Sequence, residues 1–229
     1  MRYGRAWAIL APVMLLWMVI GCGPTTLAMM LLPFSDDKEE PKCKIADADK
    51  EVTLLLACHF QNLEVRPELM SADQQLVDAL ASELGKRYKE NKDKVKIVPP
   101  TRTRGELMKL REWNPPGLRD VAEKYQADYV IAIDIQKLSL VMPNSYATLF
   151  NGQCDLHVRV MDVHAPILDG YKYEEFYHQS DFPQNRPIDA QNSSPDLFRG
   201  MFVRKMARDL AKWFVAFPSD EKFNMGEMP

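Results

Sequence analysis

Val52 to Phe60 reads Val-Thr-Leu-Leu-Leu-Ala-Cys-His-Phe, a nearly continuous apolar run of strand length. A strand with one wet face alternates apolar and polar residues, whereas a strand apolar on both faces must be covered on both. This run therefore predicts a sheet flanked by helices. Tyr129-Val130-Ile131-Ala132-Ile133-Asp134-Ile135 is a second core strand of the same kind, rich in β-branched residues.

The sequence between these runs has helical spacing. Ser71-Ala72-Asp73-Gln74 has the form of a capping box, and Leu76, Val77, Leu80, Leu84 and Tyr88 fall on one helical face behind it. Val95 to Val98 is a short strand stopped by Pro99-Pro100, which suits an edge. Thr103 and Glu106 predict a second capping box with Leu107, Leu110 and Trp113 on the covered side. Pro115-Pro116-Gly117 then restarts the chain for a helix carrying Leu118, Val121, Ala122 and Tyr125.

From Leu149 to Val163 the alternation is clean. Leu156, Val158 and Val160 share one face, while Asp155, His157 and Arg159 share the other, so one face is covered and one is polar. The tight His164-Ala165-Pro166 connection leads to a return strand in which Tyr171, Tyr173 and Tyr177 alternate with Lys172, Glu174 and His178. Gln179 to Ser194 reads as a long polar loop, and Pro195 opens a final helix striped by Leu197, Met201, Phe202, Met206, Leu210, Trp213, Phe214 and Phe217. Strands separated by helices pair parallel and a hairpin pairs antiparallel. The expected fold is α/β, in two or three layers: a mixed sheet of about five strands, with a parallel core and a C-terminal antiparallel hairpin, flanked by helices. A single domain over residues 51–218 is expected, with a disordered tail at 219–229.

Ahead of that domain, Arg2 and Arg5 precede an apolar run from Ala6 to Ile20, and the run stops at Val19-Ile20-Gly21-Cys22. A basic start, a short hydrophobic stretch and small residues before a cleavage point describe a secretory signal over residues 1–21. The tetrapeptide resembles the lipobox of bacterial lipoproteins, which implies cleavage before Cys22 and a lipid on it. An uncleaved transmembrane anchor is the alternative, but Ala6 to Ile20 falls short of the roughly 20 apolar residues a span needs. Either way the folded part is tethered to a membrane outside the cytoplasm. Residues 22–50 then hold the lipid attachment, an apolar membrane-proximal segment and a charged flexible tether. Gly23 after Cys22, where aspartate would resemble an inner-membrane retention signal, points to the periplasmic face of an outer membrane.

Leu118-Arg119-Asp120-Val121-Ala122-Glu123-Lys124-Tyr125-Gln126-Ala127-Asp128-Tyr129-Val130-Ile131 resembles the helix-to-strand signature of a group of envelope lipoproteins and related domains. The group comprises the curli-secretion lipoprotein, the lipoprotein activator of penicillin-binding proteins and the amino-terminal domain of the Tol-Pal translocation protein. Val52 to Phe60 is similar to its opening strand, and Val158 to Val163 with Ile167-Leu168 to its late hairpin. The chain departs from the group at Ala132 and Asp134 and at His164-Ala165-Pro166, where those relatives often place glycine. It also has no spare pair of long amphipathic segments for a membrane barrel. The resemblance implies fold and compartment more than activity.

Starting at Cys22 removes Arg2 and Arg5 and takes the net charge from −3 to −5, which argues against nucleic acid. No glycine-rich phosphate loop exists, so nucleotide binding has no support, and no cofactor is expected. Cys58 and Cys154 are candidates for a disulfide after export, against the plainer reading of two buried thiols. His157, His164 and His178 on adjacent segments invite a metal site with Asp155 or Asp162, although surface histidines on a polar strand face are common. Asp134, a carboxylate within a core strand, must be paired or lie at a cleft. Tyr171, Tyr173, Phe176 and Tyr177 concentrate aromatic surface on the hairpin and are the candidate partner-binding residues. The expected function is a non-catalytic lipoprotein that binds another envelope protein or itself. The rivals are a hydrolase or metal-dependent enzyme using Asp134, His157 or His178, and an accessory subunit of a transport or secretion complex.

Overall fold

The computed structural model describes residues 38–47, 50–61, 67–110, 113–165, 173–184 and 186–218. The unit of interest runs from Glu39 onward. It is the expected α/β fold with a mixed sheet. The strands are β1 (Val52–Phe60), β2 (Val95–Ile97), β3 (Tyr129–Val141), β4 (Leu149–Asp162), β5 (Tyr173–Phe182) and the short β6 (Ile188–Asp189). The helices are α1 (Ala72–Asn91), α2 (Pro100–Leu107), α3 (Pro115–Lys124) and α4 (Pro195–Ala211). Strand order is β2-β1-β3-β4-β5, with β6 also on β4. β2 and β3 run parallel to β1, and β4 is antiparallel to β3, β5 and β6.

Alternation along the central strands divides the core in two. Leu54, Leu56, Ile131, Ile133, Leu156 and Val158 point to the side covered by α1 and α4, where Leu80, Leu84, Tyr88, Phe198, Phe202 and Leu210 meet them. Leu55, Ala57, Val130 and Ala132 point to the other side, under Leu107 of α2 and Leu118, Val121 and Ala122 of α3. Gly152 of β4 is where backbone approaches helix most closely: a Cβ there would stand 2.5 Å from the Phe202 ring.

Asp128 explains the Ala-Asp-Tyr signature physically. Its carboxylate accepts from Thr53 N at 2.7 Å and from Lys50 Nζ at 3.2 Å, and its backbone N donates to Thr53 O at 2.8 Å. Burial opposes the charge, but these donors and His164 hold the Asp128 carboxyl below the usual carboxylate range. The start of β3 is thus pinned to β1, which sets the register of everything downstream.

Several expectations need correction. Neither capping box forms. Ser71 holds a left-handed backbone (φ 64°) with no side-chain cap, and α2 starts at Pro100, ahead of Thr103, whose Oγ1 donates to Pro100 O. Glu106 instead pairs with Lys109 and Lys124. Pro115 and Pro195 do open helices, capped by Asn114 Oδ1 and Ser194 Oγ. The final helix ends at Ala211, and Trp213, Phe214 and Phe217 enter the core from the chain beyond it, while Leu197 is 56 % exposed. The loop expected over Gln179 to Ser194 is shorter than its composition suggests: β5 continues to Phe182 because β4 offers it ten consecutive partners, and Ile188 pairs with Phe150. Tertiary pairing overrode weak local propensity there. Cys43 and Ile45, assigned to the tether, are buried in the core.

Cys58 and Cys154 are free. Cys58 lies in the row of Ile133 and Val158, whereas Cys154 lies opposite Leu138, four residues along β4 from that row. At about 3.3 Å per residue the two are too far apart for a bridge, which needs Cα atoms within about 7 Å.

Candidate functional site

α2 and α3 cover the part of the second sheet face around Leu55, Ala57, Val130 and Ala132. Beyond them that face turns polar, and register places a row of side chains straight across it. His59 of β1 pairs with Asp134 of β3, Asp134 with His157 of β4, and His157 with Tyr177 of β5. Arg159, two residues along β4, pairs with Glu175. Alternation puts all six on the same face.

Asp134 is the centre of this row. Arg159 Nη2 lies 2.9 Å from its Oδ2 and 3.2 Å from its Oδ1. His59 Nδ1 stands 3.1 Å from Oδ1 and His157 Nδ1 3.4 Å from Oδ2. Burial opposes the charge, but His59 and Arg159 outweigh it and hold the Asp134 carboxyl below the usual range. On its far side, His157 Nε2 lies 3.6 Å from Glu175 Oε2. Three buried nitrogens, His59 Nδ1, His157 Nε2 and Arg159 Nε, have no aligned hydrogen-bond partner among the described residues.

Aromatic rings clamp the row at both ends. Trp113 stacks on His59 with centroids 4.2 Å apart, and Tyr177 stacks on His157 at 4.7 Å. Trp113 is held by its neighbours: Asn114 caps α3 immediately after it, and its carbonyl accepts from Arg159 Nη2 at 3.1 Å. His59, Trp113, Asp134, His157, Arg159 and Glu175, with Gln61 and Asn114, line an open pocket of about 470 Å³. On the other side of the His59–Trp113 stack lies a smaller, more apolar cavity of about 180 Å³, walled by Leu56, Val77, Leu107 and Met108. The polar pocket holds an ionised carboxylate, a guanidinium and two imidazoles, but no Ser, Thr or Cys side chain lines it.

Of the sequence-singled residues, Asp134 and His157 come together. His178 does not join them: it lies on the opposite face, edge-on to Trp213, and burial lowers its basicity. His164 pairs with Asp128. The metal arrangement envisaged for His157, His164 and His178 therefore does not form, and no group of three potential ligands is found among the described residues. His59 and Cys58 face opposite ways, as consecutive strand residues do, but His59 finds Asp134 instead. Of the candidate partner residues, Tyr177 is 69 % exposed, whereas Phe176 turns inward against Trp213. Tyr173 begins β5, and Tyr171 and Cys22 lie outside the described residues. Sequence reasoning missed Trp113, placed on a helix that ends before it, and Glu175.

No protein-family model and no curated protein matches the sequence. Solved structures similar in chain path, at low identity, include the hypothetical protein CT253 from Chlamydia trachomatis. It is 10 % identical, with 72 % of this chain and 98 % of that one covered and a TM-score of 0.43. The PelC dodecamer from Paraburkholderia phytofirmans is 9 % identical, covering 78 % and 97 % with a TM-score of 0.41. Lipoprotein GNA1162 from Neisseria meningitidis is 11 % identical, covering 70 % and 98 % with a TM-score of 0.40. No helix among the described residues is long and apolar enough to cross a membrane.

Proposed function

We propose that the chain is an extracytoplasmic lipoprotein, held to a membrane through Cys22, whose domain binds another envelope protein without catalysis. The signal and lipobox of residues 1–22 support the compartment. The observation that carries the binding reading is Tyr177, largely exposed on the stretch of sheet face beyond α2 and α3, beside a polar pocket. An exposed tyrosine with a polar rim is the composition of a contact surface. The test is a photo-cross-linking amino acid at position 177 in the full chain in its native membrane. A discrete adduct with one envelope protein supports the reading, and an empty lane overturns it. Intact mass beside a Cys22→Ala variant tests the anchor separately. An accessory role in a transport or secretion complex would use the same surface and differ only in the partner.

The approach of His157 to Asp134 favours a second reading, hydrolysis. A carboxylate behind the Nδ1 of an imidazole orients the ring as a general base. With no nucleophilic side chain lining the pocket, that base would have to activate water. Ester and glycoside hydrolysis that disappears in Asp134→Asn would establish this reading, and inactivity of the unmutated chain would remove it.

A further inference from the structure

The two edges of the sheet are built differently. β2 spans three residues and stops ahead of Pro99 and Pro100, which cannot extend a ladder, whereas β5 meets a proline, Pro183, only after its full ten residues. β5 spans ten residues, keeps unbroken register with β4 from Tyr173 to Phe182, and contains no proline and no lysine. Among the described residues no backbone pairs with its outer side. A long regular edge without bulge or proline is a template for another strand.

Side-chain charge selects the occupant. β5 carries Glu174, Glu175 and Asp181 and neither Lys nor Arg. Glu175, Tyr177, Gln179 and Asp181 are exposed and line the pocket side of the edge. A second copy pairing antiparallel about His178 would set Glu175 opposite Asp181, and like charges directly opposite are destabilising. We infer that β5 receives an extended basic segment of the partner protein by strand addition, with cations opposite Glu175 and Asp181 and an apolar or aromatic residue opposite Tyr177. Read antiparallel, the matching segment is Lys-x-x-x-Phe-x-Lys. This inference rests on the protein-binding reading and names the chemistry of the partner.

The probe is a synthetic peptide of alternating Thr and Val carrying that Lys-x-x-x-Phe-x-Lys pattern, added to the full purified chain. Binding slows amide hydrogen exchange within Tyr173 to Phe182, weakens as salt rises, and falls roughly tenfold in a Glu175→Lys, Asp181→Lys double variant. That variant in turn prefers the peptide with both lysines replaced by glutamate. Equal binding of both peptides by the unmutated chain, or unchanged exchange in β5, overturns the inference. A cross-linked partner at position 177 with unprotected β5 amides would leave protein binding standing and remove strand addition alone.

Discussion

The two faces of the sheet are made by the same strands, one residue out of phase, yet they are organised by opposite rules. On the α1–α4 face, Leu54, Ile133, Leu156 and Phe202 are all 1 % exposed or less. On the other face, beyond α3, the neighbouring positions hold His59, Asp134, His157 and Arg159. Close packing makes the first face intolerant of any change in volume. The second depends on a balance of charges, and its outer residues contribute little to folding. Alternation thus lets β3 and β4 serve as scaffold and as site at once.

The sharpest way to break the contrast is at Phe202. Phe202→Ala should cost about 3–5 kcal/mol, read from urea unfolding, because a fully buried ring packed closely on the Gly152 backbone is lost. Asp134→Ala tests the open face. It strands the Arg159 guanidinium in a half-buried pocket and should cost about 2 kcal/mol, less than the loss at Phe202. The same carboxyl gives that face a pH dependence of its own. Its folded value is depressed, so its stabilisation is present above the unfolded carboxylate range near about pH 3.9 and is lost as pH falls through the lower folded value. The fall in stability on acidification should therefore be shallower in Asp134→Asn than in the unmutated chain. The smallest effect on folding belongs to Tyr177→Ala, expected within about 0.5 kcal/mol, while any adduct formed through neighbouring photo-cross-linking positions on β5 should disappear. A large loss of stability there would mean that Tyr177 belongs to the scaffold.

Much of this contrast was legible in the residues themselves. Leu156, Val158 and Val160 against Asp155, His157 and Arg159 announces which face of β4 is dry, because phase along a strand is a property of sequence alone. Asp134 within an apolar run announces a paired carboxylate. What one strand cannot announce is its register against the next. That His59, Asp134, His157 and Tyr177 share one row follows from the pinning of Thr53 to Asp128 and from the length of the β3–β4 hairpin. Trp113 was misplaced because helical spacing from Leu107 continues to it, while the chain leaves the helix at Met108 so that Asn114 can cap the next one. The strand character of Gln179 to Phe182 comes from β4, its partner, and is absent from its own composition.

The burial of three thiols has a consequence for how the chain must mature. Burial, reinforced by Glu174 for Cys43, pushes Cys43 and Cys154 up to about 12, and burial raises Cys58 well above the ordinary thiol value. Thiolate is the species that attacks disulfides and oxidants, and at neutral pH the folded domain presents almost none of it. The same three groups are ordinary reactive thiols in the unfolded chain. For a protein that folds outside the cytoplasm, as proposed, the hazard is confined to the interval between emergence and core formation. Burial of Cys43, Cys58 and Cys154 in the core ends that interval, so completion of the fold is itself the protection against oxidation.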